Sequence, residues 1–360
     1  TLRTQIDHLE LEARIGGYEA QDAAAERIAA VRPTVARLVE GQPGEVALCT
    51  SATVAFQTFL YSWAQSLPLG PGDRILTTTT EYGANYVAYL HLAGRTGARV
   101  EVVPDDETGA LDVGALEAML DERVRLISVN HVPTNGGLVN PAAAIGRVAR
   151  AHDVPFLLDA CQSAGQLPLD VDTLGCDALA ATGRKYLRAP RGTGFLWVRR
   201  ALLETLDPIT LDHEGATWTG PDGYELQPDA RRFETWERNH AALLGLGHAV
   251  EEALAWGLDA IEARVTHLAD TLRRRLTDEL DATVHDLGRR RCGIVTFSLP
   301  DREADAVKAG LRDGAINVST VPPGSALLDT QARGLPPLVR ASPHLYNTEE
   351  EIDRLVTALR

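Results

Sequence analysis

Paired cysteines, positive charge and long apolar runs are all scarce in this chain, and each shortage removes a class of function. The four cysteines, Cys49, Cys161, Cys176 and Cys292, are scattered through 360 residues and form no C-x-x-C pair. That spacing supports neither a zinc site nor a disulfide framework, so no metal site is expected and a reducing cytoplasm is the expected compartment. Lysine is rare, and 35 Lys plus Arg stand against 50 Asp plus Glu, a formal net charge of −15. A field of that sign repels phosphate backbones and anionic lipid, which excludes nucleic acid and membrane surfaces as expected partners. No apolar run reaches the roughly 18 residues of a membrane helix.

What is present is the composition of a folded enzyme-sized chain. Hydrophobic residues make up 44% and charged residues 24%, enough to bury a sizeable core, and at roughly 150 residues per domain the length predicts two domains. From Leu2 to Glu40 the pattern is helical but broken by Gly16-Gly17 ahead of Tyr18, which predicts two helices around a turn. Short β-rich runs then alternate with helical stretches: Val46–Thr50, Arg74–Thr79, Arg99–Val103, Val124–His131 and Pro155–Leu158, with Ala178–Ala181 and Gly194–Val198 as further strands. That rhythm predicts a mainly parallel sheet covered on both faces by helices, with ligands bound outside the carboxyl ends of the strands. Asp207–Asn239 has no clean period and reads as a long functional loop or subunit contact. After it, His240–Leu280 is helical, and the runs Gly293–Leu299, Gly314–Thr320 and Leu338–Ser342 precede a last helix at Glu349–Leu359. The expected fold is α/β: a large domain over 20–240 and a smaller α+β domain over 241–360, with 1–19 packed on the smaller one.

The residues with the clearest chemistry lie at two strand ends. Asp159 closes the run Pro155-Phe-Leu-Leu-Asp, and Lys185 follows the next strand in Ala181-Thr-Gly-Arg-Lys. Both are predicted at the sheet's carboxyl edge. A lysine amine able to form a Schiff base, with an acid that keeps a pyridine nitrogen protonated, suits pyridoxal 5'-phosphate (PLP) as electron sink. Taken singly, the aspartate reads as a turn former and the lysine as a surface charge; together they read as a cofactor site.

Around them the sequence resembles the class V aminotransferase family of fold type I PLP enzymes over nearly its whole length. Thr50-Ser-Ala-Thr-Val-Ala-Phe is similar to the family's phosphate-holding turn, which implies Ser51, Ala52 and Thr53 as phosphate contacts; a helix N-terminus favours an anion on physical grounds as well. Glu81-Tyr-Gly-Ala-Asn resembles the segment whose aromatic ring, here Tyr82, stacks on the cofactor. In His131-Val-Pro-Thr-Asn-Gly-Gly the family's asparagine position holds Thr134, with Asn135 one residue later, and both are cofactor candidates. Gln162 and Thr182 match further cofactor contacts, and Arg184 replaces a histidine that commonly precedes the lysine. Val339-Arg-Ala-Ser-Pro-His-Leu-Tyr-Asn resembles the closing segment whose arginine, here Arg340, clamps the substrate carboxylate, a task suited to a guanidinium fork. The resemblance also implies a homodimer.

Within the family, Val318-Ser-Thr-Val-Pro-Pro-Gly-Ser-Ala-Leu-Leu lacks the cysteine that cysteine desulfurases carry there, which ranks that activity low. Gly16-Gly-Tyr-Glu-Ala and the Tyr82 and Thr134 segments instead resemble C–S lyases such as hercynylcysteine sulfoxide lyase. The expected activity is therefore β-elimination from an S-substituted cysteine or its sulfoxide, with Lys185 and Asp159 as catalytic residues. Amino-acid epimerisation and transamination are the alternatives. Tyr18, Trp218, Arg231 and Trp236, with Arg232 and Arg238 beside them, are expected to shape the substrate pocket; an ordinary dimer contact is the competing reading of that segment.

Overall fold

In the computed structural model, which describes residues 1–360, seven strands form one sheet: β1 (Val46–Cys49), β2 (Arg74–Thr78), β3 (Arg99–Val103), β4 (Val124–Asn130), β5 (Phe156–Asp159), β6 (Ala178–Thr182) and β7 (Gly194–Val198). Their order is β1-β7-β6-β5-β4-β2-β3. Strands β2 to β6 run parallel, and β7 lies antiparallel between β6 and β1. These strands read as unbroken apolar runs because both faces are covered. Along β4, β5 and β6, Leu126, Leu157, Ala178 and Ala180 enter one core, while Ile127, Val129, Phe156, Leu158, Leu179 and Ala181 enter another. A period of two between two buried faces leaves little room for polar side chains, and those buried before a strand's last residue, Thr77 on β2 and Ser128 on β4, lie toward the carboxyl ends.

The segment expected to be an irregular loop contains a hairpin, β8 (Ala216–Gly220) and β9 (Gly223–Leu226). The helical stretch after it is two helices, His240–Trp256 and Leu258–Leu280, parted at Gly257, whose φ of 82° no other residue adopts cheaply. At the N-terminus three helices stand where two were expected, Leu2–Ile15, Gly17–Ala23 and Ala25–Leu38. The first break falls at Gly16, φ 102°.

A second, antiparallel sheet follows, β10 (Thr283–Val284), β11 (Val295–Ser298), β12 (Ser319–Val321) and β13 (Leu338–Ala341), in the order β10-β11-β13-β12. Helices Leu258–Leu280, Ala304–Asp313 and Glu349–Leu359 back it around a separate core that includes Leu268, Phe297, Val339 and Val356. Helix His240–Trp256 packs on Ala25–Leu38 and Leu2–Ile15 and sends Leu243, Leu246 and Val250 into the large core. The two sheets meet at a buried ion pair. Arg273 Nε lies 2.7 Å from Asp286 Oδ2, and Asp286 Oδ1 accepts from the backbone N–H of Gly137 (3.1 Å) and of Thr296 (3.0 Å).

Candidate active site

The carboxyl ends of β4, β5 and β6 converge, as a parallel sheet requires: Asn130 pairs with Asp159, and Asp159 with Ala180. Asp159 is the last residue of β5 and buried. Its Oδ2 accepts from Asn85 Nδ2 at 2.7 Å and its Oδ1 from the Cys161 N–H at 2.8 Å. Burial raises this carboxyl above its ordinary value, while the Asn85 and Cys161 bonds and Lys185 pull it down. Lys185 sits three residues past β6 in a loop closed by the bonds from Ala189 N–H to the Gly183 carbonyl and from Arg188 N–H to that of Lys185, both 2.9 Å.

Gln162 connects the amine to the guanidinium. With its amide turned so that the oxygen meets the donors around it, that oxygen accepts from Lys185 Nζ (3.2 Å), Arg340 (3.3 Å) and Thr134 Oγ1 (3.3 Å). Arg340, on β13, also donates to the Thr134 carbonyl at 3.0 Å and to Ser342 Oγ at 3.1 Å. All of these acceptors are neutral oxygens. Burial lowers the Arg340 guanidinium from its ordinary value; Asp286 offsets this only from a distance, and no carboxylate bonds it. A half-buried cation that bonds no counter-ion is a receptor for an anionic group.

The remaining candidates divide. Ser51 caps helix Ala52–Ser66, its Oγ accepting from Val54 N–H at 3.2 Å, so the first amides of that helix are free for a phosphate. Ala52 is half-buried and Thr53 exposed. Tyr82 stands at the start of helix Gly83–Thr96 with its ring 39% exposed. Thr182 is buried and donates to the Thr193 carbonyl at 3.2 Å, whereas Arg184 points to solvent. Of the two adjacent candidates, Thr134 joins the Gln162–Arg340 group, while Asn135 Nδ2 donates to Asp329 Oδ2 at 2.5 Å, away from it. Tyr18 and Trp236 border a cleft of about 490 Å³ with Arg238 and His240. Arg231 closes on Asp229, with Nε 2.9 and 3.0 Å from its two oxygens, and Trp218 is 78% exposed on the hairpin. Neither reaches the Lys185 loop.

Behind Asp159 lies a buried group that the sequence expectations leave without a role, although Glu81 and Asn85 stand in the same segment as Tyr82. Glu81 is buried, and its carboxyl is pushed up to about 7, first by burial and then by the charge of Asp159. Asn85 and Tyr89 also bond it. The signal was available: Asn85 and Tyr89, four apart, share one face of helix Gly83–Thr96, and Glu81 stands in the turn just before it.

This donor set fits PLP: a half-buried amine, a buried acid on the neighbouring strand, a helix N-terminus with free amides, and a flat ring at the next helix start. A model of the aminotransferase class-V family matches residues 5–355. A probable cysteine desulfurase of Xylella fastidiosa (strain Temecula1) is 34% identical over 338 residues, which cover 93% of this chain and 80% of that protein. The apo structure of a cysteine desulfurase from Thermococcus onnurineus superposes with a TM-score of 0.90 at 25% identity, covering 99% of this chain and 90% of the other. A third solved structure, of a protein called C-DES with glycine covalently linked to its PLP, has a TM-score of 0.88 at 23% identity over 99% of this chain and 92% of its own. The cofactor of this site is PLP.

These findings correct one expectation. The ranking of β-elimination from an S-substituted cysteine above desulfuration is overturned, because the relatives matched along the whole chain are named cysteine desulfurases. The likeness to C–S lyases of sulfur-metabolite biosynthesis is not borne out by these relatives; C-DES, named a cystine C–S lyase, is alike at 24% identity, which shows the fold alone. That ranking rested on one missing thiol in one short segment and on the likeness of three short segments, at Gly16, Glu81 and His131, to C–S lyases, and neither leaves a mark on the strands, the lysine loop or the carboxylate clamp. By its family model, its relatives and its two-sheet α/β architecture, the chain belongs to the class-V aminotransferase family of fold type I PLP enzymes.

Proposed function

We propose that the enzyme removes sulfur from L-cysteine, the reaction named for its relatives. The observation that carries the substrate class is the unpaired Arg340 guanidinium meeting Lys185 on the single amide of Gln162. A carboxylate held by that fork sets the amino acid's α-carbon beside the Lys185 amine and fixes which Cα bond faces the cofactor. Bound PLP supplies the electron sink conjugated to that carbon. Lys185 Nζ takes the Cα proton, and Asp159 supplies the buried negative charge that keeps the ring nitrogen protonated. Sulfur then leaves by attack of a thiolate on Sγ: the Cβ–Sγ bond breaks, its electron pair ends at Cβ with a proton, Lys185 gives the Cα proton back, and cysteine becomes alanine while the attacker becomes a persulfide.

The attacking thiol is not on Val318–Leu328, which has no cysteine. Cys161 lies within hydrogen-bonding reach of Lys185, but burial raises its thiol and so suppresses the thiolate. The reading therefore takes the acceptor from solution. With purified PLP-loaded protein, L-cysteine and added dithiothreitol, alanine and sulfide form in equal amounts, rise with thiol concentration, and vanish in Lys185→Ala. Pyruvate in place of alanine overturns the reading. A homodimer belongs to the same proposal: Val87, Leu90 and Leu327 are exposed around a cleft of about 590 Å³ beside Tyr82, and light scattering that finds only monomer refutes it.

A further inference from the structure

Two buried carboxyls face one another across a single amide behind the cofactor site. Asn85 Nδ2 donates one N–H to Asp159 Oδ2 at 2.7 Å and the other to Glu81 Oε1 at 3.1 Å. Neither carboxyl has a cation in direct contact; the Lys185 amine acts on Asp159 from the far side, where the cofactor binds. Two adjacent anions in so dry a place repel strongly, so the pair holds one negative charge and one proton near neutrality.

The neighbouring hydroxyls say where the proton is. Tyr89 has one hydroxyl hydrogen and two partners, Ser128 Oγ at 2.6 Å and Glu81 Oε2 at 3.2 Å. The shorter contact takes the hydrogen. Its oxygen is then an acceptor turned toward Glu81 Oε2, and a neutral acid with its proton on that oxygen completes the chain from Glu81 to Tyr89 to Ser128. Thr77 Oγ1 donates to the same oxygen at 3.0 Å and the Tyr82 N–H to Oε1 at 2.6 Å. The titratable groups facing Glu81 are thus Asp159 from β5 and Tyr89 from the helix that follows it; β2 and β4 present only the hydroxyls of Thr77 and Ser128. We propose that Glu81 is a positioning residue that keeps the proton of this pair, so that Asp159 carries the negative charge toward the cofactor, with Asn85 as the link between them.

The inference rests on the PLP site and not on which amino acid is consumed, so it stands or falls separately from the desulfurase reading. Infrared difference spectra of wild-type apoprotein between about pH 5.5 and about pH 8.5 show loss of a protonated-carboxyl band that moves on 13C-glutamate labelling, and Glu81→Gln lacks that band. In the PLP-loaded protein the absorbance of the bound cofactor shows a step near neutral pH that Glu81→Gln loses and Asn85→Ala also loses, although Asn85→Ala keeps the infrared band. A wild-type band that ignores glutamate labelling overturns the inference without any variant, as does a cofactor titration in Glu81→Gln that superposes on wild type.

Discussion

At the scale of single residues, the site depends on what each charged group lacks. Arg340 bonds only neutral oxygens, which supports the proposal that its partner is the substrate, and Arg340→Lys keeps the charge while losing the two-pronged geometry. We expect KM for the amino acid to rise about thirtyfold, on the order of 2 kcal/mol, with the cofactor's absorbance unchanged; an unchanged KM removes Arg340 from the clamp. Glu81 makes a stability prediction with a definite sign. Its folded carboxyl is raised from 4.5 to about 7, so the folded state keeps a proton the unfolded chain has lost. The stabilisation is full below the lower value and falls as pH rises to about 7, by up to about 1.4 kcal/mol per pH unit. Glu81→Gln has no such loss, so the melting temperature of its apoprotein gains on wild type between about pH 5 and pH 7. A constant difference across that window sinks the assignment. Lys185 and Asp159 stood out in the sequence as charges at or just past the ends of apolar runs, and Arg340 through the resemblance of its segment to the family's closing motif. The Glu81 proton was not, since it follows from distances to Asn85 and Tyr89 that no spacing encodes.

At the scale of elements, helix Ala52–Ser66, proposed to hold the cofactor phosphate, is placed by close backbone contact. A Cβ at Gly194 on β7 would lie 2.7 Å from the Ser51 carbonyl carbon and from the Ala181 carbonyl oxygen, and 3.0 Å from the Ala52 nitrogen. The helix start can sit on the sheet only while that position is glycine. Gly194→Ala is expected to shift the Ser51–Ala52 turn and weaken PLP binding at least about tenfold, roughly 1.4 kcal/mol, while the far-ultraviolet circular dichroism stays native. Equal PLP affinity in the two proteins would show that the turn does not hold the phosphate. Strands β3 and β7 and helix Glu349–Leu359 have the limits read from sequence, because alternation between two cores and the Thr348 capping box are written locally. The β8–β9 hairpin was missed for the opposite reason. Thr217, Trp218 and Thr219 are exposed, so no buried face imposes a period on them.

At the scale of the whole molecule, the two sheets are joined by polar contacts that also hold the cofactor loop. Asp286 binds Gly137 N–H, Asp329 binds Asn135, and just ahead of these two anchors Thr134 is presented to Gln162 and Arg340. A side chain expected to touch the cofactor, Asn135, thus ties the loop to the small unit. Arg273 supports the arrangement by pairing with Asp286, both almost fully buried, and by donating to the Cys292 and Ile294 carbonyls at 2.8 and 2.7 Å. Removing only the cation leaves Asp286 charged and unpaired in the interior, a loss of about 3–5 kcal/mol. Arg273→Met should therefore unfold at clearly lower denaturant, and the survivors should show a raised KM for the amino acid because Thr134 is no longer held. In the double variant Arg273→Met/Asp286→Leu the buried charge is gone, so much of the stability returns. The loop keeps its slack, so KM stays high. Recovery of stability and KM together would mean that the ion pair serves the fold alone and that Thr134 is held from within the large sheet.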